Sequence, residues 1–252
     1  MVNVTITGAN GKMGGVIASI IKERSDCQVI SGIDLNTKPK DDFTIYAKPQ
    51  ELPVKPDVII DFSHPSALND LLEYCLSTGT AVVLATTGYD EAQIAKIKKA
   101  AEQIPVFFTF NMSLGINLLC KLAKTAAEVL GGQFDIEIVE KHHNQKIDAP
   151  SGTAIMLANS INETLDNKYQ YVYDRHSQRK KREKNEIGMH AIRGGTIVGE
   201  HDIIFAGRDE VITLSHSAAS KEVFAVGAVN AAVFLAEQQA GLYDMASLLN
   251  NI

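Results

Sequence analysis

The chain has 252 residues, of which 45% are hydrophobic and 21% are charged, a composition that is typical of a globular protein with a sizeable core. Its net charge of −6 and three widely separated cysteines argue against global attraction to nucleic acid or anionic membranes and against a disulfide framework. The N-terminus lacks the pattern of a secretory signal and no apolar run reaches the ~18 residues of a membrane span, so a cytoplasmic location is expected.

The first half of the chain alternates apolar segments with amphipathic ones. Predicted strands cover residues 2–7, 27–34, 57–63, 80–88 and 106–113, and predicted helices cover residues 11–23, 66–78 and 90–103. Continuous apolar runs are typical of parallel strands that are buried on both faces, and strands that alternate with helices form doubly wound sheets. The pattern therefore predicts an α/β, Rossmann-like dinucleotide-binding domain over residues 1–110.

The second half follows a different pattern. Predicted helices cover residues 115–130 and 153–165, and predicted strands cover residues 134–143 and the glycine-interrupted stretches 187–207 and 209–218. Strands joined by tight turns form antiparallel pairs. Residues 111–217 are therefore predicted to form an α+β substrate-binding and oligomerisation domain with an open mixed or antiparallel sheet.

The last segment is predicted to be a helix. It covers residues 220–245, with Gly241 as its C-cap. The segment 218–252 is expected to pack back on the first domain.

A glycine-rich loop joins the first predicted strand to the first predicted helix. Gly8, Gly11 and Gly14 are spaced as a tight turn needs if the backbone is to approach a pyrophosphate at a helix N-terminus. Asp34 ends the second predicted strand 20 residues after Gly14, where an acid usually hydrogen-bonds the ribose hydroxyls. A plain strand–helix turn is the alternative, but the position of the loop favours dinucleotide binding.

The sequence leaves the choice of nucleotide open. A carboxylate at Asp34 favours NADH because it would repel a 2′-phosphate, whereas Lys12 and Lys38 are close enough in sequence to neutralise that phosphate. Both NADH and NADPH are therefore expected as cofactors. The segments 84–88 and 109–113 each leave the carboxyl end of a predicted strand, where ligands bind in such sheets; ordinary turns are the alternative.

The stretch EKHHNQKIDAPSGTA, residues 140–154, concentrates proton-carrying groups directly before a predicted helix. His142 and His143 point to opposite sides of an extended segment, which argues against a shared metal ion, and no metal site is predicted. Ser151 is expected to be the helix N-cap beside free N–H groups that bind anions, and Lys146 adds a positive charge. The stretch predicts a carboxylate substrate and a proton-transferring histidine; a polar capping loop is the alternative.

Five segments, in the same order, resemble the 4-hydroxy-tetrahydrodipicolinate reductase family, also called dihydrodipicolinate reductase. They are GANGKMG, ATTG, FNMSLGIN, E-x-HH-x-x-K-x-DAPSGTA and R-G-G-x-IVGEH, and they span nearly the whole chain. The resemblance implies an enzyme of lysine and diaminopimelate biosynthesis in which NADH or NADPH delivers hydride to a cyclic, unsaturated imine dicarboxylate. Water is lost from 4-hydroxy-tetrahydrodipicolinate, and tetrahydrodipicolinate is formed. The resemblance also implies a homotetramer, and no nucleic-acid or membrane partner is expected.

The resemblance also implies roles for individual residues. His142 and Lys146 would be the catalytic proton-transfer pair, with Lys146 as the acid. Substrate carboxylates would be held by His143, Ser151, Gly152, Thr153 and Arg193. The cofactor would contact Gly8, Ala9, Asn10, Gly11, Lys12, Met13, Asp34, Ala85, Thr86, Thr87, Thr109, Phe110, Asn111 and Met112. This chain has Leu35 where some members carry an arginine for the 2′-phosphate, which argues against a strict preference for NADPH.

Particular features bear on three other functions. The basic segment 175–185 alone is typical of nucleic-acid binding, but it lacks aromatic residues for stacking, so it is interpreted as a solvated loop in which Arg175 and Arg182 would steer an anionic substrate. A semialdehyde dehydrogenase or similar two-domain reductase needs a nucleophilic cysteine, and no cysteine here has suitable surroundings. A non-enzymatic nucleotide sensor would have to bind nucleic acid through residues 175–185.

Overall fold

The computed structural model describes residues 1–39 and 42–251 and divides the chain into two compact units. The first unit comprises Met1–Leu114 and Glu222–Ile252, and the second comprises Gly115–Lys221. The sequence predicts these boundaries at residues 110 and 217, each four residues earlier. Residues 40, 41 and 252, which fall within the ranges predicted for the first domain, lie outside the described residues.

Strands and helices alternate through the first part of the chain. The strands are β1 (Val2–Thr7), β2 (Cys27–Ile33), β3 (Ile45–Tyr46), β4 (Val58–Asp61), β5 (Ala81–Leu84) and β6 (Pro105–Phe108). The helices are α1 (Lys12–Lys22), α2 (Leu68–Thr78) and α3 (Glu91–Ala100). Several strands end earlier than predicted, because the small and polar residues that follow their carboxyl ends form loops instead of pairing.

The second unit is a mixed sheet with two long helices. Its elements are α4 (Leu114–Leu130), β7 (Asp135–His142), α5 (Gly152–Thr164), β8 (Gln170–Val172), β9 (Glu186–Arg193), β10 (Gly199–Ala206) and β11 (Val211–Ala218). The strand order is β11-β10-β7-β9-β8. The predicted open, mixed sheet is therefore confirmed.

One predicted pairing in this sheet is wrong. The strands β9 and β10 are separated by a short glycine turn, yet they do not pair, because β7 lies between them. The strand β9 pairs with β7 in parallel, whereas β10 pairs with β7 and β11 in antiparallel fashion. The turn after β9 crosses the end of β7, where the backbone N–H of Gly194 donates to the carbonyl of His142 at 2.9 Å. This crossing brings three strand ends together.

The two faces of the second sheet differ. Along β7, buried side chains alternate with half-buried ones, and Ile136 and Ile138 pack with Ile203 and Phe205 of β10 in a core that α4 and α5 cover. The same face carries Glu140 and His142 at its polar end, because residues two apart on a strand share a face. The opposite face carries exposed apolar side chains such as Ile192 and Val211 beside charged ones such as Glu137 and Lys141.

The chain then returns to the first unit. Its last elements are α6 (Glu222–Leu235), β12 (Gly241–Tyr243) and α7 (Met245–Leu249). The single helix predicted over 220–245 is wrong: the helix stops at Leu235, and Gly241 begins a strand that pairs in parallel with β6. The first sheet therefore has seven parallel strands in the order β12-β6-β5-β4-β1-β2-β3, which confirms the doubly wound class.

Helices cover both faces of the first sheet. One core contains side chains of α1 and α6, and the other contains those of α2 and α3. Strand residues such as Val4, Ile59 and Val82 have no exposed surface, as buried parallel strands require. Within the described residues, no helix has the length and apolar character needed to cross a membrane.

Candidate active site

The loop between β1 and α1 depends on two glycines. Gly8 has a φ of +72°, and a Cβ there would lie 2.5 Å from the carbonyl oxygen of Phe62, so only glycine fits. A Cβ on Gly14 would overlap the carbonyl oxygen of Gly8, so α1 can begin directly against the loop. The N-cap residue, Gly11, supplies no side-chain cap. The helix start is therefore suited to an approaching phosphate.

Asp34 follows β2 and organises the same loop. Its two carboxylate oxygens accept hydrogen bonds of 3.0 Å from the backbone N–H groups of Asn10 and Asn36. The Asn10 side chain in turn donates to the carbonyls of Asn36 and Lys38 at 2.5 and 3.0 Å. Because each carboxylate oxygen can accept a second hydrogen bond, Asp34 retains capacity for ribose hydroxyls. The next residue, Leu35, is 97% exposed.

A buried carboxylate, which the sequence analysis did not single out, lies at the same sheet edge. Asp61 ends β4 and is 1% exposed. It accepts hydrogen bonds from the hydroxyls of Thr7, Ser63 at 2.5 Å and Tyr89 at 3.1 Å. Burial, followed by the negative charge of Asp61, raises the pKa of Tyr89, so its phenol stays protonated and donates. One carboxylate thus joins the loops that follow β1, β4 and β5.

The other predicted cofactor residues also lie at the carboxyl edge of the first sheet. Ala85 and Thr86 are buried after β5, and the Thr86 hydroxyl accepts a hydrogen bond of 2.9 Å from the backbone N–H of Ser63. Thr109 and Asn111 form a turn after β6, in which Phe110 is 80% exposed. Buried positions are Ala9 and Met112, Met13 is half-buried, and Lys12 and Thr87 are exposed.

In the second unit, a histidine and a glutamate form a buried pair at the end of β7. Nδ1 of His142 lies 2.6 Å from Oε2 of Glu140, whose side chain is 1% exposed. Burial would raise the pKa of Glu140, but hydrogen bonds from Arg193, His142 and the backbone N–H of Ser151 outweigh it and lower the pKa. Glu140 is therefore ionised at neutral pH.

Arg193, at the end of β9, is paired with an internal carboxylate rather than open to a ligand. Its two terminal nitrogens each lie 2.7 Å from one oxygen of Glu140. They also donate to the carbonyls of Ile192 at 2.8 Å and Asp148 at 2.7 Å. The bidentate carboxylate contact expected with a substrate is therefore made with Glu140, and Nε of Arg193 is buried without a partner.

The start of α5 lies beside this cluster. Ser151 is the N-cap, as predicted, and its hydroxyl accepts from the backbone N–H of Ala154 at 3.2 Å. Its backbone N–H donates to Glu140 at 2.9 Å, and its hydroxyl lies 3.1 Å from Nε2 of His201 on β10. Burial, with the neighbouring His142 as a second cause, lowers the pKa of His201 to about 4. His201 is therefore neutral at physiological pH.

The loop between β7 and α5 carries the predicted lysine. Nζ of Lys146 lies 2.8 Å from Oδ1 of Asp148. This hydrogen bond is the main reason why the pKa of Asp148 is lowered, and a backbone hydrogen bond from Gly152 contributes. His143 and Thr153 are half-buried, and Gly152 is exposed at the helix start. The ammonium group of Lys146 and the N–H at the start of α5 thus both contact the carboxylate of Asp148.

Two arginines of the basic segment form ion pairs with acids of the second sheet. Arg175 pairs with Glu137 at 2.6 Å and with Glu186 at 2.7 Å. Arg182 pairs with Asp135 at 2.8 Å and with Glu137 at 3.0 Å. These acids of β7 and β9 offset the charges of both arginines and hold the segment on the sheet, and the steering of an anionic substrate stays a prediction.

Three buried polar residues, one in the first unit and two in the second, were not among the predicted site residues. Glu140 could have been found, because a strand places it on the same face as His142, two residues later. Asp61 has a partner only two residues away, Ser63, and His201 ends the R-G-G-x-IVGEH segment, but their partners Thr7 and Ser151 lie 54 and 50 residues away along the chain. Among the described residues, no group of three or more His, Cys, Asp or Glu side chains is arranged to hold a metal ion.

Comparison with protein families matches the chain over almost its full length. A family model described as "Dihydrodipicolinate reductase, N-terminus" matches residues 2–112, and one described as "Dihydrodipicolinate reductase, C-terminus" matches residues 115–249.

Named relatives and a solved structure agree with these matches. A 4-hydroxy-tetrahydrodipicolinate reductase of Caldanaerobacter subterraneus subsp. tengcongensis is 52% identical, over 99% of this chain and 98% of that protein. A protein of the same name from Clostridium tetani is 45% identical, over 100% of this chain and 98% of that protein. The dipicolinate-bound dihydrodipicolinate reductase of Paenisporosarcina sp. TG-14 superposes with a TM-score of 0.81 at 26% identity, covering 97% of each chain.

Proposed function

The chain belongs to the dihydrodipicolinate reductase family, and on this premise we propose that it reduces 4-hydroxy-tetrahydrodipicolinate to tetrahydrodipicolinate. The reaction takes up one hydride from NADH or NADPH and one proton, releases one water, and belongs to lysine and diaminopimelate biosynthesis. The observation that carries the proposal is the cluster of His142, Lys146 and the α5 start in a chain that is matched from end to end.

The first unit fits a nicotinamide dinucleotide. The glycine turn leaves room for a pyrophosphate at the start of α1, and Asp34 retains acceptor capacity for ribose hydroxyls. The proposed contacts are those predicted at residues 8–13, 34, 85–87 and 109–112. Bound NADH or NADPH supplies the hydride.

The second unit fits a dicarboxylate. Lys146 and the backbone N–H groups of Gly152 and Thr153 would hold one carboxylate, with His143 beside them. His142 and Lys146 would exchange protons with the substrate, because both can carry a proton and both lie at the anion-binding loop. We propose that Arg193 supports the site through Glu140, since its terminal nitrogens are already bonded.

The assembly and location predicted from the sequence belong to the same proposal. A homotetramer is supported by the apolar side chains on the open face of the second sheet, such as Ile192 and Val211. A cytoplasmic location suits an enzyme that uses free NADH or NADPH and whose three cysteines are all free thiols.

The proposal is tested by coupling the protein to the synthase that makes its substrate and following the oxidation of NADH and NADPH. Turnover is expected with at least one of the two cofactors, and folded protein without turnover would reject the proposal. The His142→Ala variant is expected to lower kcat by about 10²–10⁴-fold. A loss below about threefold would remove His142 from proton transfer. Calorimetric titration of each cofactor, with and without dipicolinate, determines the nucleotide preference.

A further inference from the structure

One buried carboxylate bonds directly to three members of the polar cluster in the second unit. Glu140 is 0% exposed, and its two oxygens contact His142, Arg193 and the backbone N–H of Ser151 at 2.6 to 2.9 Å. We infer that Glu140 is the positioning residue of this active site. It holds the His142 ring with Nδ1 protonated and Nε2 available for proton exchange, and it fixes that ring to the start of α5. The inference rests on the proposed function and adds a residue to it.

The hydrogen bond determines which ring nitrogen of His142 can react. An ionised carboxylate only accepts hydrogen bonds, so the ring nitrogen that lies 2.6 Å from Oε2 must carry a proton. In the neutral ring, Nε2 then keeps its lone pair. A Cβ on Gly199 would lie 3.1 Å from Nε2, so the glycine at the start of β10 leaves space beside the reactive nitrogen.

The charges around His142 support this state. Glu140 faces the ring from β7 and is kept ionised by the paired guanidinium of Arg193 on β9. From β10, His201 packs edge-on with ring centroids 5.3 Å apart and is neutral because its pKa is about 4. Beyond it, burial also lowers the pKa of His216 on β11. Glu140 thus places a negative charge directly against the ring.

Glu140 also links the ring to the anion-binding loop through two further routes. It accepts the backbone N–H of Ser151, the residue whose side chain caps α5. Its partner Arg193 donates to the carbonyl of Asp148, whose carboxylate is bonded to Lys146. Glu140 therefore helps to fix the distance between the proton-transfer groups and the helix start.

The chain provides a matched control for this residue. Glu137 lies on the same strand but on the opposite face, where it accepts from Arg175 and Arg182. It also lies 2.7 Å from Nε2 of His190. Glu137→Gln thus removes a carboxylate that is bonded to arginines and a histidine, away from His142.

The first experiment does not depend on turnover. Nitrogen NMR of ¹⁵N-histidine-labelled protein, assigned with His142→Gln, reports which nitrogen of the neutral His142 ring carries the proton. The wild type and Glu137→Gln are expected to show the Nδ1–H form. In Glu140→Gln, one of the two carboxylate oxygens becomes an NH2 group, which donates and cannot accept. If the remaining oxygen accepts from the backbone N–H of Ser151, the NH2 group faces Nδ1 of His142, so the Nε2–H form of the ring is expected to increase. A wild-type ring in the Nε2–H form would overturn the inference, and so would an unchanged ring in Glu140→Gln.

The second experiment measures kcat and KM for the same variants. Glu140→Gln is expected to lower kcat by at least about 100-fold, because the wrong tautomer disables a histidine in proton transfer. Glu137→Gln is expected to stay within about threefold of wild type; equal losses in both variants would refute the positioning role. If Glu140→Gln does not fold, Glu140→Asp keeps the charge but shortens its reach to Nδ1, and it is expected to show the same tautomer change. Wild-type protein without turnover would reject the proposed function alone, since the spectra would still decide the inference.

Discussion

Lys146 and Asp148 form an ion pair of 2.8 Å in the loop that leads into α5, and a backbone hydrogen bond from Gly152 also reaches Asp148. Two of the groups that are proposed to hold a substrate carboxylate therefore already hold a carboxylate of the protein. A substrate anion at this loop would share Lys146 with Asp148 or displace it, and the two negative charges would repel each other. We therefore expect Asp148 to compete with the substrate.

The Asp148→Asn variant tests this competition. Removing the negative charge frees Lys146, so the Kd for dipicolinate and the KM for substrate are expected to fall about three- to tenfold at low ionic strength. Calorimetric titration of dipicolinate gives the Kd. The control is Asp166→Asn, because Asp166 pairs with Lys168 at 2.7 Å in an exposed pair two residues apart. Weaker binding by Asp148→Asn than by the control would contradict the expectation.

The Asp61→Ala variant tests the carboxylate beneath the cofactor loops. It would leave the hydroxyls of Thr7, Ser63 and Tyr89 without their acceptor, so the free energy of unfolding is expected to fall by about 2–4 kcal/mol. Urea unfolding measures this change, and NADH is expected to bind more weakly because the loops lose their common anchor. Asp57→Ala serves as the control, since Asp57 precedes the same strand but is exposed. Equal decreases in the free energy of unfolding for the two variants would show that Asp61 does not anchor these loops.

The low pKa of His201 predicts that the folded protein loses stability in mild acid. Its pKa is about 4 in the folded protein and about 6.5 in the unfolded chain, so the unfolded chain binds the proton more tightly. Above about pH 6.5 the ring is neutral in both states and the free energy of unfolding is not reduced. As the pH falls towards 4, the unfolded chain takes up the proton first, and the free energy of unfolding falls by up to about 3 kcal/mol.

Unfolding measurements across this pH range separate His201 from other groups. The His201→Gln variant retains a polar group near the Ser151 hydroxyl but cannot titrate. Its free energy of unfolding is expected to fall less between pH 6.5 and 4 than that of wild type. Parallel curves for the two proteins would show that the ring titrates normally in the fold.

Leu35→Arg tests the basis of the nucleotide preference. Leu35 follows Asp34 directly and is 97% exposed, so the substitution removes no packing. A guanidinium there is expected to pair with a 2′-phosphate and to lower the KM for NADPH about tenfold relative to that for NADH. Steady-state kinetics with both cofactors measure the ratio, and Leu35→Gln controls for polarity without charge. An unchanged ratio would mean that the side chain at position 35 points away from the phosphate.

Local features of the site could be predicted because neighbouring residues determine them. A serine between Pro150 and Gly152 predicted a helix N-cap, and the Ser151 hydroxyl does accept from the N–H of Ala154. The glycine spacing predicted a close turn, and Gly8 adopts the positive φ that such a turn requires. In both cases the physical cause lies within a few residues of the motif.

Other features depended on contacts that are distant in sequence. Arg193 was expected to bind an external carboxylate, but it is paired with Glu140, 53 residues away, because β9 lies beside β7 rather than beside β10. Residues that favour helices continue past Leu235 in the sequence, yet the helix ends there and the segment from Gly241 to Tyr243 pairs with β6. Neither outcome has a local signal, since strand order is decided by the whole sheet.

The return of the chain to its first unit has a consequence for synthesis on the ribosome. Ala228, Val229 and Leu235 of α6 have no exposed surface, and they belong to the same core as Ile17 of α1. The edge strand β12 is also added only from residue 241 onward. The first unit, whose first 114 residues are translated first, therefore completes its core only after residue 222. All residues of the second unit are translated before that point. Nascent chains would have to keep the α1 side of the first sheet from aggregating until α6 emerges.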